Sequence, residues 1–312
     1  MEHVAQSYSS VKPVRCRLYN QTINDMYLIE TPSDSFIYRI WAQTDIVADS
    51  LEAILEMQFR CKEHGLPVVH PMSLLSGQYL QTLYAPEGER FAALFSFASG
   101  KPAGRGITPE QSTIVGELTG NFHLIADTFK PCSRLLTHDL NFLLLEPFNI
   151  IQSCVATSVE QRKTFESILR VLSRHIDSLE KTTPLFGICH GDIHGMNILF
   201  DEDKVALLDF DWLSYGWRAW DLAVFIWWIR GVKDELQVEQ TFLDGYRSTH
   251  PQAQNTIEAI PVFVPVRHLL LTSRIINYAN SGIDVGRWID EAFIDKRLNF
   301  IQTWMRENRL LD

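Results

Sequence analysis

Residues 188–211, ICHGDIHGMNILFDEDKVALLDFD, constrain this chain more than any other stretch. They hold two histidines, an asparagine and a set of carboxylates within two dozen positions bounded by apolar runs. Inside the segment, ILF and VALLDF flank the polar DEDK, which is the pattern of a short hairpin with its turn between two apolar strands. Closing such a hairpin brings Asn197, at its start, close to Asp209, near its end. Asp192 stands five residues before Asn197, in a loop that follows the apolar LFGIC. One carboxylate to orient an attacking hydroxyl, with an amide oxygen and a second carboxylate to hold a hard divalent cation, is the equipment of phosphoryl transfer.

The rest of the chain reads as an α+β scaffold. MYLIE and FIYRIW, joined by TPSDS, form a hairpin over 20–41, with Pro, Asp and Ser supplying the turn. Leu51, Ile54, Leu55 and Phe59 then recur at helical spacing, with Gly65 as the stop and Pro67 beyond it. Strand-like runs return at QYLQTLYA and RFAALFSF. The first 97 residues therefore predict an antiparallel sheet with one long helix. ASGKPAGRG, 98–106, has the Gly and Pro content of a connector, and the boundary is placed there. The chain divides into an N-terminal lobe, 1–97, and a mainly helical C-terminal lobe, 98–312. The latter opens with the capping box TPEQ and a stripe of Ile114, Leu118 and Phe122. A second helix is expected over about 159–180, and further ones at DLAVFIWWI, TFLDGYR, VRHLLLTSRIINYA and DEAFIDKRLNFIQTWMREN.

Composition narrows the function. A formal net charge of −10 argues against a nucleic-acid partner, because phosphate backbones are held by Lys and Arg. Five scattered cysteines show no metal-type pairing and fit a reduced compartment. The N-terminus lacks the basic and apolar runs of a secretion signal, and the most apolar stretch is interrupted by charge well short of the roughly 20 residues a bilayer requires. A cytoplasmic protein with no membrane partner is expected.

His190-Gly191-Asp192-Ile193-His194-Gly195-Met196-Asn197 keeps the His, Asp and Asn spacing of the protein-kinase loop H-R-D-x-x-x-x-N, and Asp209-Phe210-Asp211 stands where a kinase carries D-F-G. The whole pattern resembles the aminoglycoside phosphotransferase and choline kinase superfamily, including its homoserine-kinase-like branch. NDMYLI, EHGLPVVHP, SYGWRAWDLA and FLDGYR extend the likeness over roughly 18–250. The resemblance implies a protein-kinase-like bilobal fold with ATP and Mg²⁺ between the lobes. It makes Asp192 the catalytic base or hydroxyl-orienting residue, and Asn197 and Asp209 the metal ligands.

For the nucleotide, the resemblance points to the polar turn YNQTIND, with Gln21, Thr22 and Asn24 as donors to phosphate. Arg39 stands where the family usually has lysine, and its fork suits two phosphate oxygens. Glu56 is the expected acidic partner on the long helix, with Glu52 in reserve. LFSFASG, 94–100, is the expected hinge, with Phe95 and Phe97 walling the adenine pocket. His190 is read as support for the loop, His123 as a satisfied core histidine, and Asp221 as a helix N-cap and brace for the loop. His194 and Asp211 fit either support or direct participation.

The acceptor is expected to be a small molecule bearing a hydroxyl and an amine, such as a homoserine-like compound, an amino alcohol or an aminoglycoside. The reason is that Trp217, Trp220, Trp227, Trp228, Trp288 and Tyr278 mix with Asp284, Asp290 and Glu291 in the C-terminal helices. Three other readings share the motif: a protein Ser/Thr kinase, a pseudokinase that binds nucleotide without turnover, and a hydrolase using His190, Asp192, His194, Asp209 and Asp211 as metal ligands.

Overall fold

The computed structural model describes residues 2–8, 11–21, 24–42, 48–86, 88–131, 133–202, 204–283, 285–286 and 288–311. The chain divides into two compact units, one made of 1–104, 124–136 and 195–213, the other of 105–123, 137–194 and 214–312.

The first unit contains α1 (Glu2–Ser7), β1 (Arg15–Gln21), β2 (Asp25–Glu30), β3 (Ser35–Ile40), α2 (Ala48–Glu63), β4 (Gln81–Ala85) and β5 (Gly88–Ser96). Its strands form one sheet in the order β1-β2-β3-β5-β4, antiparallel throughout. The expected hairpin is present, and its turn closes where Thr31 Oγ1 accepts from Asp34 N at 2.9 Å. Strand alternation sorts β3 onto two faces. Tyr38 and Ile40 join Val4, Tyr8, Ile29 and Leu94 in an apolar cluster, while Ile37 and Arg39 line a cleft. The α2 helix buries Leu51, Ile54, Leu55 and Met57, each contributing about 1.5–3 kcal/mol. It stops as expected at Gly65, whose φ of 78° suits a residue without Cβ.

A second, small sheet in this unit joins β6 (Lys101–Pro102), β8 (Ile198–Asp201) and β9 (Lys204–Leu207). The link after α2 runs beside β9: Leu207 N donates to Pro67 O at 2.9 Å, and Val69 N to Leu207 O at 3.1 Å. The GLPVV link is thereby a clamp on the hairpin of the motif.

The second unit contains α3 (Pro109–Thr128) up to His123, then α4 (Glu146–Ser153), α5 (Val159–Asp177), β7 (Phe186–Cys189), β10 (Ser214–Trp217), α6 (Ala219–Trp228), α7 (Glu235–Thr249), α8 (Gln254–Glu258), α9 (Ile260–Asn280) and α10 (Glu291–Glu307). The Thr108 box forms, with Gln111 N on Thr108 Oγ1 at 3.2 Å and Thr108 N on Gln111 Oε1 at 3.1 Å. Of the expected stripe on α3, Leu118 and Phe122 are buried and Ile114 is exposed, and the buried face also takes in Ser112, Val115, Thr119 and His123. Small residues admit a neighbouring helix there: a Cβ on Gly116 would lie 2.0 Å from Phe242 O, and one on Gly245 2.2 Å from Thr113 O. Among the described residues no helix is long and apolar enough to cross a membrane.

Candidate active site

Each unit carries one part of the motif. In the first, Ile198 pairs with Leu207, and Leu208 N donates to Asn197 O at 2.9 Å. The open end of this hairpin brings Asn197 and Asp209 to one cleft of about 310 Å³. Met26, Ile37, Val69, Phe95 and Leu199 give the cleft apolar walls, and Arg39, Gln58 and Ser96 add polar groups. Asp209 has a φ of 58°, a left-handed conformation that an Asp tolerates better than most residues. Such backbone persists where the surroundings enforce it, often at functional positions.

Arg39 is buried and holds both carboxylates of Asp209-Phe210-Asp211. Its Nη1 lies 3.5 Å from Asp209 Oδ1, its Nη2 is paired with Asp211 Oδ2, and its guanidinium sits 5.0 Å from the Trp41 ring. Trp41 Nε1 also donates to Asp211 Oδ1, at 3.4 Å. The carboxylates that Arg39 meets thus come from the hairpin, whereas Glu56 lies with Glu52 in a separate hollow beside Tyr79.

The expected hinge contributes Phe95, Ser96, Phe97 and Ala98 to the cleft, and Tyr19 meets Phe97 edge-on at 6.4 Å. From the polar turn, Asn24 Oδ1 accepts from Ala42 N at 3.1 Å and Gln21 Nε2 donates to Asp25 at 2.9 Å. Tyr19 and Asn20 line the cleft instead, and Thr22 lies outside the described residues.

In the second unit β7 delivers the chain to His190 and Gly191, whose φ is 87°. The turn is held from below by Asp221, whose two oxygens accept from His190 N at 2.8 Å and Gly191 N at 2.7 Å. That brace is the role expected for Asp221, but the cap is not: the N-cap of α6 is Arg218, and the Asp221 carboxylate is committed to the loop. Behind it His123 meets Asp221 Oδ2 through Nε2 at 3.0 Å and Tyr246 Oη through Nδ1 at 2.8 Å. Burial pushes the His123 pKa down to about 4 against the pull of Asp221, so the ring is neutral with its proton on Nε2. His190 is fully buried, and its Nδ1 accepts from Asp192 N at 3.3 Å, the supporting role expected.

The Asp192 carboxylate meets Arg267 and His194. Arg267 Nη2 lies 2.5 Å from Oδ1, and His194 Nε2 lies 3.3 Å from Oδ2. Burial alone would raise the carboxyl pKa, but the Arg267 charge and the His194 bond outweigh it and hold the group well below the usual carboxylate range. Arg267 was not anticipated from the sequence. Its one signal is a lone cation inside the apolar run IPVFVPVRHLLL, where the burial of α9 demands a counter-charge.

The aromatic residues divide by position. Trp217 is core, packed on Phe186 and Phe263, whereas Trp288 is exposed. Trp220 Nε1 donates to Gly191 O at 2.9 Å, and Trp228 stacks on His194 at 6.4 Å. Asp290 caps α10 through Phe293 N at 2.8 Å, and Asp284 lies outside the described residues. Asn197 and Asp209 bring an amide and a carboxylate to one cleft, oxygen donors of the kind a hard cation takes.

This combination of fold and site defines the class: a kinase-type phosphotransferase with an alcohol group as acceptor. Residues 16–254 match the phosphotransferase enzyme family, and the chain belongs to it. It is similar to an uncharacterized protein of Synechocystis sp., 30% identical over 82% of this chain and 72% of that one. It is also similar to a homoserine kinase of Methylobacillus glycogenes, 25% identical over 76% of this chain and 71% of that one. Among solved structures, a microcompartment-associated aminopropanol kinase superposes with a TM-score of 0.79 at 17% identity, covering 99% of this chain and 95% of that chain. An amicoumacin kinase in complex with AMP-PNP, Ca²⁺ and Ami superposes with a TM-score of 0.76 at 16% identity, covering 98% and 91%. These likenesses carry the mixed fold of an antiparallel N-terminal sheet and a helical C-terminal part.

Proposed function

We propose that the protein is a small-molecule kinase that moves the γ-phosphate of ATP to a hydroxyl of an amine-bearing acceptor. The observation that carries this reading is that Asn197 and Asp209 line one cleft whose walls include Phe95 and Phe97. In it, Phe95 and Phe97 flank the adenine, and the segment up to residue 97 with the hairpin 195–213 forms the nucleotide side of the enzyme. The remainder of 98–312 supplies the catalytic loop and the acceptor side. Asn197 and Asp209 would hold Mg²⁺, which when bound with the nucleotide neutralises charge on its phosphates. Arg39, between Asp209 and Asp211, orients the metal-binding carboxylate of Asp209 and adds positive charge beside the phosphates. Asp192 aligns the acceptor hydroxyl; its low basicity suits a loose transition state in which positioning outweighs proton affinity.

An amine-bearing acceptor fits the formal net charge of −10 on the chain. The homoserine kinase and aminopropanol kinase among its relatives and structural neighbours act on molecules of this kind, which supports the reading. The test is an ADP-release screen with Mg²⁺-ATP against L-homoserine, 1-amino-2-propanol, choline, ethanolamine, aminoglycosides and a generic protein substrate. Stimulation by at least one small amino alcohol is expected, and Asp209→Ala should abolish it together with metal-nucleotide binding. Stimulation by the protein substrate alone would replace the acceptor class.

A further inference from the structure

We propose that Arg267 is the positioning residue of the catalytic loop: its guanidinium fixes Oδ1 of Asp192 and so presents Oδ2 as the oxygen that receives the acceptor's hydroxyl. This rests on the assignment of Asp192 made above and divides the work between its two oxygens.

Arg267 comes from α9, far along the chain from the loop, and is 4% exposed. A cation at that depth is tolerated only with a close counter-charge, and its Nη2 lies 2.5 Å from Asp192 Oδ1. Two indole rings fix the guanidinium, with centroids 5.8 Å away for Trp220 and 5.9 Å for Trp227. Both rings are themselves anchored. Trp220 Nε1 is bonded to the carbonyl of Gly191, the residue before Asp192, and Trp227 Nε1 to Nδ1 of His268, the residue after Arg267, at 3.0 Å. The cation, its carboxylate and the backbone on either side are therefore tied into one closed network.

The other oxygen is held differently. His194 Nε2 stands 3.3 Å from Oδ2, longer than the roughly 2.7–2.9 Å of a strong charge-assisted bond, and its side chain is 19% exposed. This is the contact a hydroxyl can displace. In the transfer, the acceptor oxygen forms its bond to the γ-phosphorus while the bond to the β–γ bridging oxygen breaks and ADP leaves with that electron pair. Asp192 Oδ2 aligns the hydroxyl, whose proton leaves to solvent by way of the phosphoryl oxygens, while Arg267 stays on Oδ1.

The test measures ADP release from Mg²⁺-ATP with 1-amino-2-propanol and L-homoserine as probe acceptors and water as the background acceptor. Arg267→Ala should lower kcat by about 100-fold, the order expected for an ångström of misplacement, with the KM for ATP within about threefold. Added guanidinium chloride at low, non-denaturing concentration should restore about tenfold, and sodium chloride at equal ionic strength should not. Arg267→Lys, which keeps the charge without the fork, should fall between. The double variant Asp192→Asn with Arg267→Ala should be no slower than Asp192→Asn alone. Wild-type kcat in Arg267→Ala, losses that add in the double variant, or a loss that guanidinium leaves untouched overturns the proposal. If Arg267→Ala does not fold by circular dichroism, Arg267→Lys decides: a full rate overturns the proposal, and a loss of about tenfold at unchanged ATP KM sustains it. A wild-type rate in Asp192→Asn sinks the assignment of Asp192 itself, and the proposal with it.

Discussion

Arg39 shows how much a single side chain can be asked to do. Its cation lies between Asp209 and Asp211, two carboxylates that would otherwise repel each other. Arg39→Ala should therefore destabilise the metal-free protein, by about 2 kcal/mol once the partial exposure of Asp209 is allowed for. Mg²⁺-ATP should then raise the melting temperature of this variant less than that of the wild type, because the lost positive charge beside the phosphates weakens nucleotide binding. Arg39→Lys should lose far less in both stability and ATP KM. Equal thermal shifts in all three proteins would remove Arg39 from the metal site. At this scale the sequence is legible where chemistry is local. Asp192, Asn197 and Asp209 announce themselves by spacing within one segment. Arg267 does not, because its counter-charge lies on a distant element and a lone arginine in an apolar helix carries no sign of its partner.

Between elements, the crossing of α3 with α7 depends on glycine rather than on apolar area. Gly116 and Gly245 let the two backbones approach until a methyl group would overlap a carbonyl oxygen. Gly245→Ala, despite its better helix propensity, should destabilise by about 1–3 kcal/mol, read as a lower urea midpoint at unchanged slope. A gain in stability would mean that the helices separate freely. The brace of Asp221 belongs here too. Asp221→Asn retains an acceptor for only one of the two loop amides, so kcat should fall with little change in ATP KM, which steady-state kinetics would show. Periodicity placed Leu118 and Phe122 on the buried face of α3 but not Ser112 and Thr119, which hide their hydroxyls on Val238 O and Val115 O. Polar residues that satisfy themselves in this way look exposed to any hydrophobic count. The β1 strand was illegible for the opposite reason: every residue in it is exposed, so it carries no alternation.

Across the whole molecule, burial of neutral histidines sets a pH dependence. His123 and His138 are pushed down to about 4, and His268 to about 3, in each case first by desolvation. The unfolded chain takes up protons on these rings near pH 6.5, and the folded chain does not. Stability is therefore complete above about pH 6.5 and is lost as pH falls towards 4. At pH 5.5 the three together should cost on the order of 4 kcal/mol relative to pH 7.5, measured from urea unfolding at the two values. A flat profile would show that these rings are charged in the native state. The two-part character of the fold was visible in the change from strand to helix patterns near residue 97. Membership of the units was not, since 195–213 joins the first unit through the backbone bonds of Leu207 to Pro67 and Val69.

That late hairpin also bears on how the protein is made. As the chain leaves the ribosome, the sheet of the first hundred residues emerges with its cleft face open, and Leu199, Leu207 and Leu208, which close that face, are not translated until another hundred residues have followed. A nascent chain of this kind carries an uncovered apolar surface while those intervening residues are added, and the amino-terminal segment expressed by itself should aggregate until a peptide spanning 195–213 is supplied.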